Sequence, residues 1–377
     1  RDAQMGFLYG TAFAVFYALF GIPLGRLADV WVRRSLVAAS LAVWSAMTAL
    51  SGLARSFAQL ALTRVGVATG EAAGSPPAHS LLSDYFPPQT RGRALGIYAG
   101  AVHLAGPIGL MGGAWVAQRH GWRSALLAFG IPGLLLALLV RTTVREPQRG
   151  GMDAAPPAPI DHPWRVVRAL FAKRSYLWLQ FGAILHAFSG YGLGLWIIEF
   201  MTRIHGLSAQ QASVRVGVLN LLCGIIGVAL GGWLTDRLSR SDARWFLWLP
   251  SLQVAVAAPL AAIFLYLERL DLALGCYAAH WILNAGYNAP TYALMQALAD
   301  ARTRALAVAT HLSIVNLVGL TSGPFVVGLL NDRLEPELGV QAIRYSLMLV
   351  CFSNAFASIF YMLGSRTVPQ DVGRAPA

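Results

Sequence analysis

Apolar residues run along this chain in helix-length stretches, broken by short polar segments rich in arginine, glycine and proline. The stretches do not alternate with a period of two, so they read as helices and not as barrel strands. Eleven candidate spans follow, at about 4–27, 36–54, 60–83, 93–117 and 123–141, then 176–201, 212–236, 245–267, 271–295, 304–330 and 342–363. Each is close to the roughly 20 residues that cross a hydrocarbon layer. The segment 142–175 separates the two groups and carries Ala154-Ala155-Pro156-Pro157-Ala158-Pro159, a linker composition. It ends in Trp164-Arg165-Val166-Val167-Arg168-Ala169-Leu170-Phe171, whose mixed basic and apolar positions predict a helix lying on the membrane surface.

Composition agrees with a membrane protein. Of 377 residues, 56% are hydrophobic and 12% charged, where soluble domains carry about 25% charged residues. The net charge of +12 reflects arginine-rich cytoplasmic loops better than nucleic-acid binding, because no basic-aromatic module accompanies it. Lys173 is the only lysine, an arginine bias found with GC-rich bacterial genomes. Cys223, Cys276 and Cys351 fall inside apolar runs and read as small core residues. No His/Cys/Asp/Glu group has metal-ligand spacing, no phosphate loop is present and nothing resembles a catalytic site. The expectation is therefore no enzyme, no metal and no cofactor, with a proton gradient as the driving force.

Two polar loops organise the chain. The first is Gly25-Arg26-Leu27-Ala28-Asp29-Val30-Trp31-Val32-Arg33-Arg34; a weaker echo is Gly232-Trp233-Leu234-Thr235-Asp236-Arg237. In both, a glycine stands four positions before an aspartate. The first follows one span and the echo follows two, which predicts a helix upstream of this sequence and twelve in the intact protein, as in a duplicated transporter. With the first loop in the cytoplasm, arginines favour that side by roughly two to one, as the positive-inside rule expects.

These loops resemble the signature of the major facilitator superfamily. Gly25, Asp29, Arg33 and Arg34 match its first cytoplasmic loop, and Asp236 with Arg237 the copy in the second half. Gly106-Pro107-Ile108-Gly109-Leu110-Met111-Gly112-Gly113 is similar to the superfamily's Gly-Pro motif, whose glycines would serve helix bending and close packing. One stretch is more specific: Arg64-Val65-Gly66-Val67-Ala68-Thr69-Gly70-Glu71-Ala72, then Pro76, Leu82-Ser83-Asp84-Tyr85-Phe86-Pro87 and Arg91-Gly92-Arg93-Ala94-Leu95-Gly96-Ile97-Tyr98. It resembles the Spinster family of lysophospholipid and sphingolipid carriers, in a bacterial version. The resemblance implies an all-α membrane protein of two pseudo-symmetric six-helix bundles, with the first helix absent here. Residues 1–141 would form the N-terminal bundle, 142–175 a cytoplasmic linker with a surface helix, and 176–377 the C-terminal bundle. It also implies that the Gly25, Asp29, Arg33, Arg34, Asp236 and Arg237 loops brace the two halves on the cytoplasmic side.

Arg64 and Glu71 are the sharpest chemical pair. Seven residues apart, they share a helix face about 10.5 Å apart along the axis. A carboxyl in hydrocarbon favours its neutral form, and a nearby arginine favours its charged form. A group balanced between the two is a proton switch; the alternative is a static pair that locks helices. Among the polar residues inside spans, Tyr17, Tyr98, His103, His186, Tyr191, Asn284, Asn288 and Asn316 are the substrate-cavity candidates. His79, His280, Tyr287 and His311 are further polar positions, and each alone is more often a helix-to-helix hydrogen bonder. Tyr9, Phe13, Phe16, Tyr17 and Phe20 give the first span an aromatic face.

The resulting expectation is a secondary transporter of the cell (inner) membrane, monomeric, working by alternating access. Its cargo would be an amphipathic lysolipid or sphingolipid-like molecule, with the lipid bilayer as its surroundings and no nucleic-acid partner. Two alternatives stand beside it: a sugar-acid or other small organic-anion:proton symporter, and a lipid sensor on a transporter fold that moves nothing.

Overall fold

The computed structural model describes residues 1–11, 13–17, 19–20, 24, 27, 31–86, 88–148, 163–299 and 304–372. Among them every regular element is helical, as hydrocarbon demands: a helix satisfies its backbone polar groups internally. Gly25, Arg26, Asp29 and the Pro-rich linker core lie outside the described residues. Five described stretches meet a strict length and hydropathy criterion for crossing a membrane: Trp122–Thr143, Arg174–His205, Ala209–Ser239, Trp245–Tyr266 and Thr310–Ser365.

The chain forms two compact units, 11–158 with 209–217, and 1–10 with 159–208 and 218–377. The boundaries differ from the sequence-defined halves at two short segments, because 1–10 and 209–217 each pack with the opposite unit.

The smaller unit contains α1 (Arg33–Ser51), α2 (Phe57–Ala72), α3 (Ser75–Tyr85), α4 (Pro88–His120) and α5 (Trp122–Thr143). Ser56 caps α2 by accepting from the Gln59 backbone N–H at 3.2 Å. Gly121, with φ 82°, makes the sharp turn between α4 and α5 that a side chain would resist. Close approach falls where a side chain would collide. A Cβ on Gly130 would lie 2.6 Å from the Ala49 nitrogen, and one on Gly70 would lie 2.7 Å from the Trp44 nitrogen. The glycines of the Gly-Pro motif do not fill this role. Among the described residues, Gly106 and Gly109 have nothing within 4 Å of a Cβ, and Gly112 meets only the Phe129 ring. Pro107 sits within the continuous α4. In the stretch before α1, Phe13 stacks on Tyr17 at 5.6 Å and Phe16 on Phe20 at 6.3 Å, the four-residue spacing of one helix face.

The larger unit begins with α6 (Pro163–Ala172), followed by the long α7 (Arg174–His205), α8 (Ala209–Ser239), α9 (Trp245–Tyr266), α10 (Leu270–Gly286) and α11 (Asn288–Leu298). It closes with α12 (Arg304–Val315), a wider turn at Asn316–Leu320, α13 (Thr321–Leu338), α14 (Ala342–Cys351), α15 (Ser353–Ser365) and α16 (Val368–Val372). Helix α7 is central: it packs on α13, α14 and α15. Tyr176, Leu179, Leu247, Val254 and Tyr361 form the main apolar cluster. The apolar side of α6 joins this cluster through Val166 and Leu170, and Lys173 donates to the Leu298 carbonyl at 2.6 Å. The surface helix expected to rest its apolar face on the membrane therefore rests it on protein, leaving Trp164 and Arg168 exposed.

The glycine contacts predict an asymmetry. Gly130→Ala should lower the melting temperature of the detergent-solubilised protein, by an overpacking cost of about 1–3 kcal/mol. Gly109→Ala, into open space, should leave it unchanged or raise it. Thermal unfolding followed by tryptophan fluorescence distinguishes them.

Candidate functional site

The arginines that end the first polar loop carry an ionic cluster in the smaller unit. Arg33 is 1% exposed, at the start of α1. Its guanidinium forms an ion pair with Asp84 at the end of α3, and Nε donates to Glu146 Oε1 at 2.8 Å. Nη1 also donates to Ser80 Oγ at 2.8 Å, and Nη2 to the Pro147 carbonyl at 2.9 Å. The Arg34 backbone N–H completes the cluster by donating to Glu146 Oε2 at 2.8 Å. Arg33 thus ties the start of α1 to the end of α3 and to the segment that follows α5. Burial alone would raise the Glu146 carboxyl, but the Arg34 backbone N–H and the Arg33 guanidinium outweigh it and hold Glu146 below the usual carboxylate range.

Sequence reasoning named Arg33 and Arg34 but missed Glu146, which no motif marks. Asp84 stood inside the Spinster-like stretch without a role. The echo loop makes no comparable cluster. Asp236 and Arg237 are exposed, neither joins an ion pair among the described residues, and the Arg237 guanidinium lies 5.7 Å from the Trp233 ring. Gly25 and Asp29 lie outside the described residues.

Arg64 and Glu71 share α2 but point to different partners. Arg64 Nη2 donates to Ser51 Oγ at 2.8 Å, at the far end of α1. Glu71 lies two turns further on, exposed and without an ion pair among the described residues. Its charge and the Tyr98 hydroxyl both act on the Tyr17 hydroxyl. Three of the sequence candidates, Tyr17, Glu71 and Tyr98, are thus gathered in one electrostatic neighbourhood, with Arg64 turned away. The side chain of His103 lies outside the described residues.

The remaining candidates line one cavity in the larger unit. It encloses about 320 Å³ and is lined by His186, Tyr191, Asn284, Tyr287, Asn288 and Asn316, with Trp281, Tyr292 and His311. The Tyr191 hydroxyl donates to Asn316 Oδ1 at 2.6 Å. His186 Nδ1 meets Asn354 Oδ1 at 2.9 Å, while Asn354 Nδ2 donates to Ser189 Oγ at 2.9 Å. With the amide nitrogen engaged there, its oxygen faces the imidazole, so Nδ1 carries the proton. The Tyr287 ring lies 4.0 Å from that of His186. The Asn284 amide nitrogen is buried and makes no hydrogen bond within ordinary geometry among the described residues, and Asn288 donates to the Ala285 carbonyl at 3.2 Å. Among the described residues no arginine, lysine or carboxylate lines this cavity. Asn354 and Ser189, which fix the imidazole, were not foreseen; polar residues on separate helices reveal their pairing only in three dimensions. No group of three metal-ligating side chains occurs among the described residues.

Removing one partner of a buried ion pair leaves the other charge stranded, at about 3–5 kcal/mol. Arg33→Gln should therefore destabilise far more than Arg237→Gln, measured as melting temperature in detergent. The Glu146 contribution carries a pH signature. Its depressed folded value means that this stability is present above about pH 4.3, the ordinary glutamate value, and is lost as pH falls through the folded value. Glu146→Gln should flatten that acid limb of the stability curve.

Comparison with known proteins agrees with this architecture. Residues 2–313 match the family model of the Major Facilitator Superfamily. The chain is 35% identical over 376 residues to an MFS-type efflux pump of Mycolicibacterium smegmatis, covering 98% of this chain and 86% of that one. It is 28% identical to human protein spinster homolog 1, covering 99% and 76%. Its fold is similar to the crystal structure of a bacterial homologue of the human lysosomal transporter Spinster in an inward-facing, unoccupied conformation. The TM-score is 0.89 at 31% identity, with 98% and 90% of the two chains covered. The chain therefore belongs to the major facilitator superfamily: it is a multi-pass membrane transporter of Spinster-like sequence and fold, and not an enzyme.

Proposed function

We propose that this transporter moves lysophospholipid or sphingolipid-like amphipathic molecules by alternating access, coupled to protons through Glu71. The observation that carries the coupling is the position of Glu71. It is a carboxyl on a membrane helix, with no ion pair among the described residues and in the electrostatic neighbourhood of the Tyr17 and Tyr98 hydroxyls. An acid so placed must be hydrated, hydrogen-bonded or protonated, and each costs differently as its surroundings change. Arg64, bonded to Ser51, has an anchoring role in this reading and does not serve as the acid's permanent counter-ion.

The cavity of the larger unit supports an amphipathic cargo. Aromatic rings supply apolar wall, while His186, Asn284 and the Tyr191–Asn316 pair supply a few neutral polar contacts. A sugar-acid symporter needs a fixed cation for its substrate carboxylate, and none is present among the described residues that line this cavity. The protein acts in the cell membrane as a monomer and draws its energy from the proton gradient, with no cofactor.

Reconstituted liposomes test the reading. Fluorescent lysophosphatidylcholine uptake should rise under an imposed pH gradient, and Glu71→Gln should abolish the gradient-dependent part. Full gradient-driven uptake by Glu71→Gln would overturn the coupling role. Binding of the lipid without flux in the parent protein would overturn transport of this cargo in favour of a sensor.

A further inference from the structure

One end of the smaller unit carries cations that no carboxylate answers among the described residues. Helix α1 has 19 residues and is therefore about 28 Å long, close to the hydrocarbon thickness. Arg33 and its two acids stand at its start. The turn beyond its other end carries Arg55, and Arg123 is bound to that turn: its Nη2 donates to the Ala54 carbonyl at 3.0 Å. A Cβ on Gly52 would lie 2.6 Å from the Arg123 carbonyl oxygen, so the two segments are in close contact. Arg119, in the last turn of α4, lies across the Gly121 turn from Arg123. All three arginines are exposed. The sequence has no Asp or Glu between 30 and 70 or between 85 and 145. Helices α1, α4 and α5 therefore bring no acid to this end, and Glu71 lies near the other end of α2.

What steadies these guanidinium groups is aromatic. The Arg119 Cζ lies 4.3 Å from the centroid of the Trp115 ring, and the Arg123 Cζ 4.2 Å from that of Trp122. A guanidinium over a ring face keeps its charge and its in-plane N–H donors. Arg33 and Arg203, by contrast, direct theirs to carboxylates. Helix stability does not account for Arg123, which stands in the first turn of α5, where the helix dipole favours an acid. Both tryptophans are 45% exposed, at helix ends, where indoles gather at a membrane interface. Beyond them α5 turns Ile131, Leu134, Leu135, Leu138 and Leu139 outward, in a segment long and apolar enough to cross the membrane. Cationic donors at the head of an exposed apolar helix match a partner with an anionic head and hydrocarbon chains.

We propose that Arg55, Arg119 and Arg123, with Trp115 and Trp122, form a site for an anionic phospholipid of the surrounding bilayer. The lipid phosphate accepts from the guanidinium edges, a pairing that arginine geometry favours, and the acyl chains lie along the outward face of α5. This lipid is a resident of the membrane and not the cargo. The inference rests on α5 crossing the membrane, and not on the cargo or on proton coupling.

The test places a reporter beside the site in reconstituted bilayers. Cys223, Cys276 and Cys351 are changed to alanine, and Ile131→Cys carries a bimane. The bilayers mix phosphatidylcholine and phosphatidylglycerol, with bromine on the chains of one or the other, so quenching reports which lipid sits against α5. Brominated phosphatidylglycerol should quench more than its share of the bilayer predicts. Arg119→Gln should reduce that preference by up to about fivefold, the factor for about 1 kcal/mol per cation at an anionic lipid surface. Adding Arg123→Gln should bring it near parity, whereas Arg119→Lys, which keeps the charge, should retain most of it. Arg123→Gln also breaks the bond to Ala54, so Arg119→Gln, whose contact is the Trp115 ring, keeps the result independent of that turn. Equal quenching by the two lipids in the parent, or a preference unchanged in the double variant, would overturn the proposal. So would an equal preference at Ile225→Cys, on the exposed face of α8, which would mark general attraction to a protein of net charge +12. Loss of the preference in inorganic phosphate at matched ionic strength would make a free anion the occupant and overturn the lipid. No cargo enters this measurement: its failure leaves the transport reading intact, and absent lysophosphatidylcholine flux leaves the lipid site standing.

Discussion

Hydrocarbon offers no hydrogen bonds, and the rest of this fold follows from that. Each backbone polar group within the membrane must be satisfied inside its own helix. Once that is done, apolar side chains gain nothing by leaving lipid for protein, because the two are equally greasy. Helix contacts are then decided by how closely backbones can approach. Gly70 and Gly130 in the smaller unit, and Gly6, Gly10 and Gly328 in the larger, sit where any Cβ would strike a neighbouring backbone atom. These positions hold helices together, and large exposed residues such as Leu135 and Leu138 on α5 are left to face outward.

The two main ionic clusters among the described residues lie near helix ends and are graded by burial. Arg33 is enclosed by Asp84, Glu146 and backbone carbonyls, an arrangement expensive to disrupt and suited to fixing three segments of one unit. Arg203 is held by two carboxylates, Asp2 and Glu199, and has more access to water. The same residue types thus yield a buried fastening at one place and a water-accessible one at another. The difference comes from solvent exposure, since the fork geometry of arginine is available in both. Glu71 is a third case, an acid with no ion pair among the described residues.

Several features were legible in the residues. Helix-length apolar runs give the all-helical class, and the loop at Gly25–Arg34 gives the superfamily. The four-residue spacing of Phe13, Tyr17, Phe16 and Phe20 likewise returns as two stacked pairs. Local patterns misled where two interpretations share one pattern. Gly106 and Gly109 look like packing residues, yet face open space. The amphipathic α6 looks like a membrane-surface helix, yet its apolar positions are taken by the core of the larger unit. A hydrophobic face records that something apolar covers it, and lipid and protein satisfy that requirement equally.

Sequence by itself determined class and family, because these depend on hydropathy and short motifs within one segment. Tertiary structure decided the partnerships. It joined Arg33 to Glu146 across 113 positions and Asp2 to Arg203 across 201, turned Arg64 toward Ser51 and away from Glu71, and fixed His186 through Asn354. A single charged residue in a sequence states only that a partner or water is needed. Which group answers depends on helices that are distant along the chain and adjacent in space, and that adjacency is set by backbone packing.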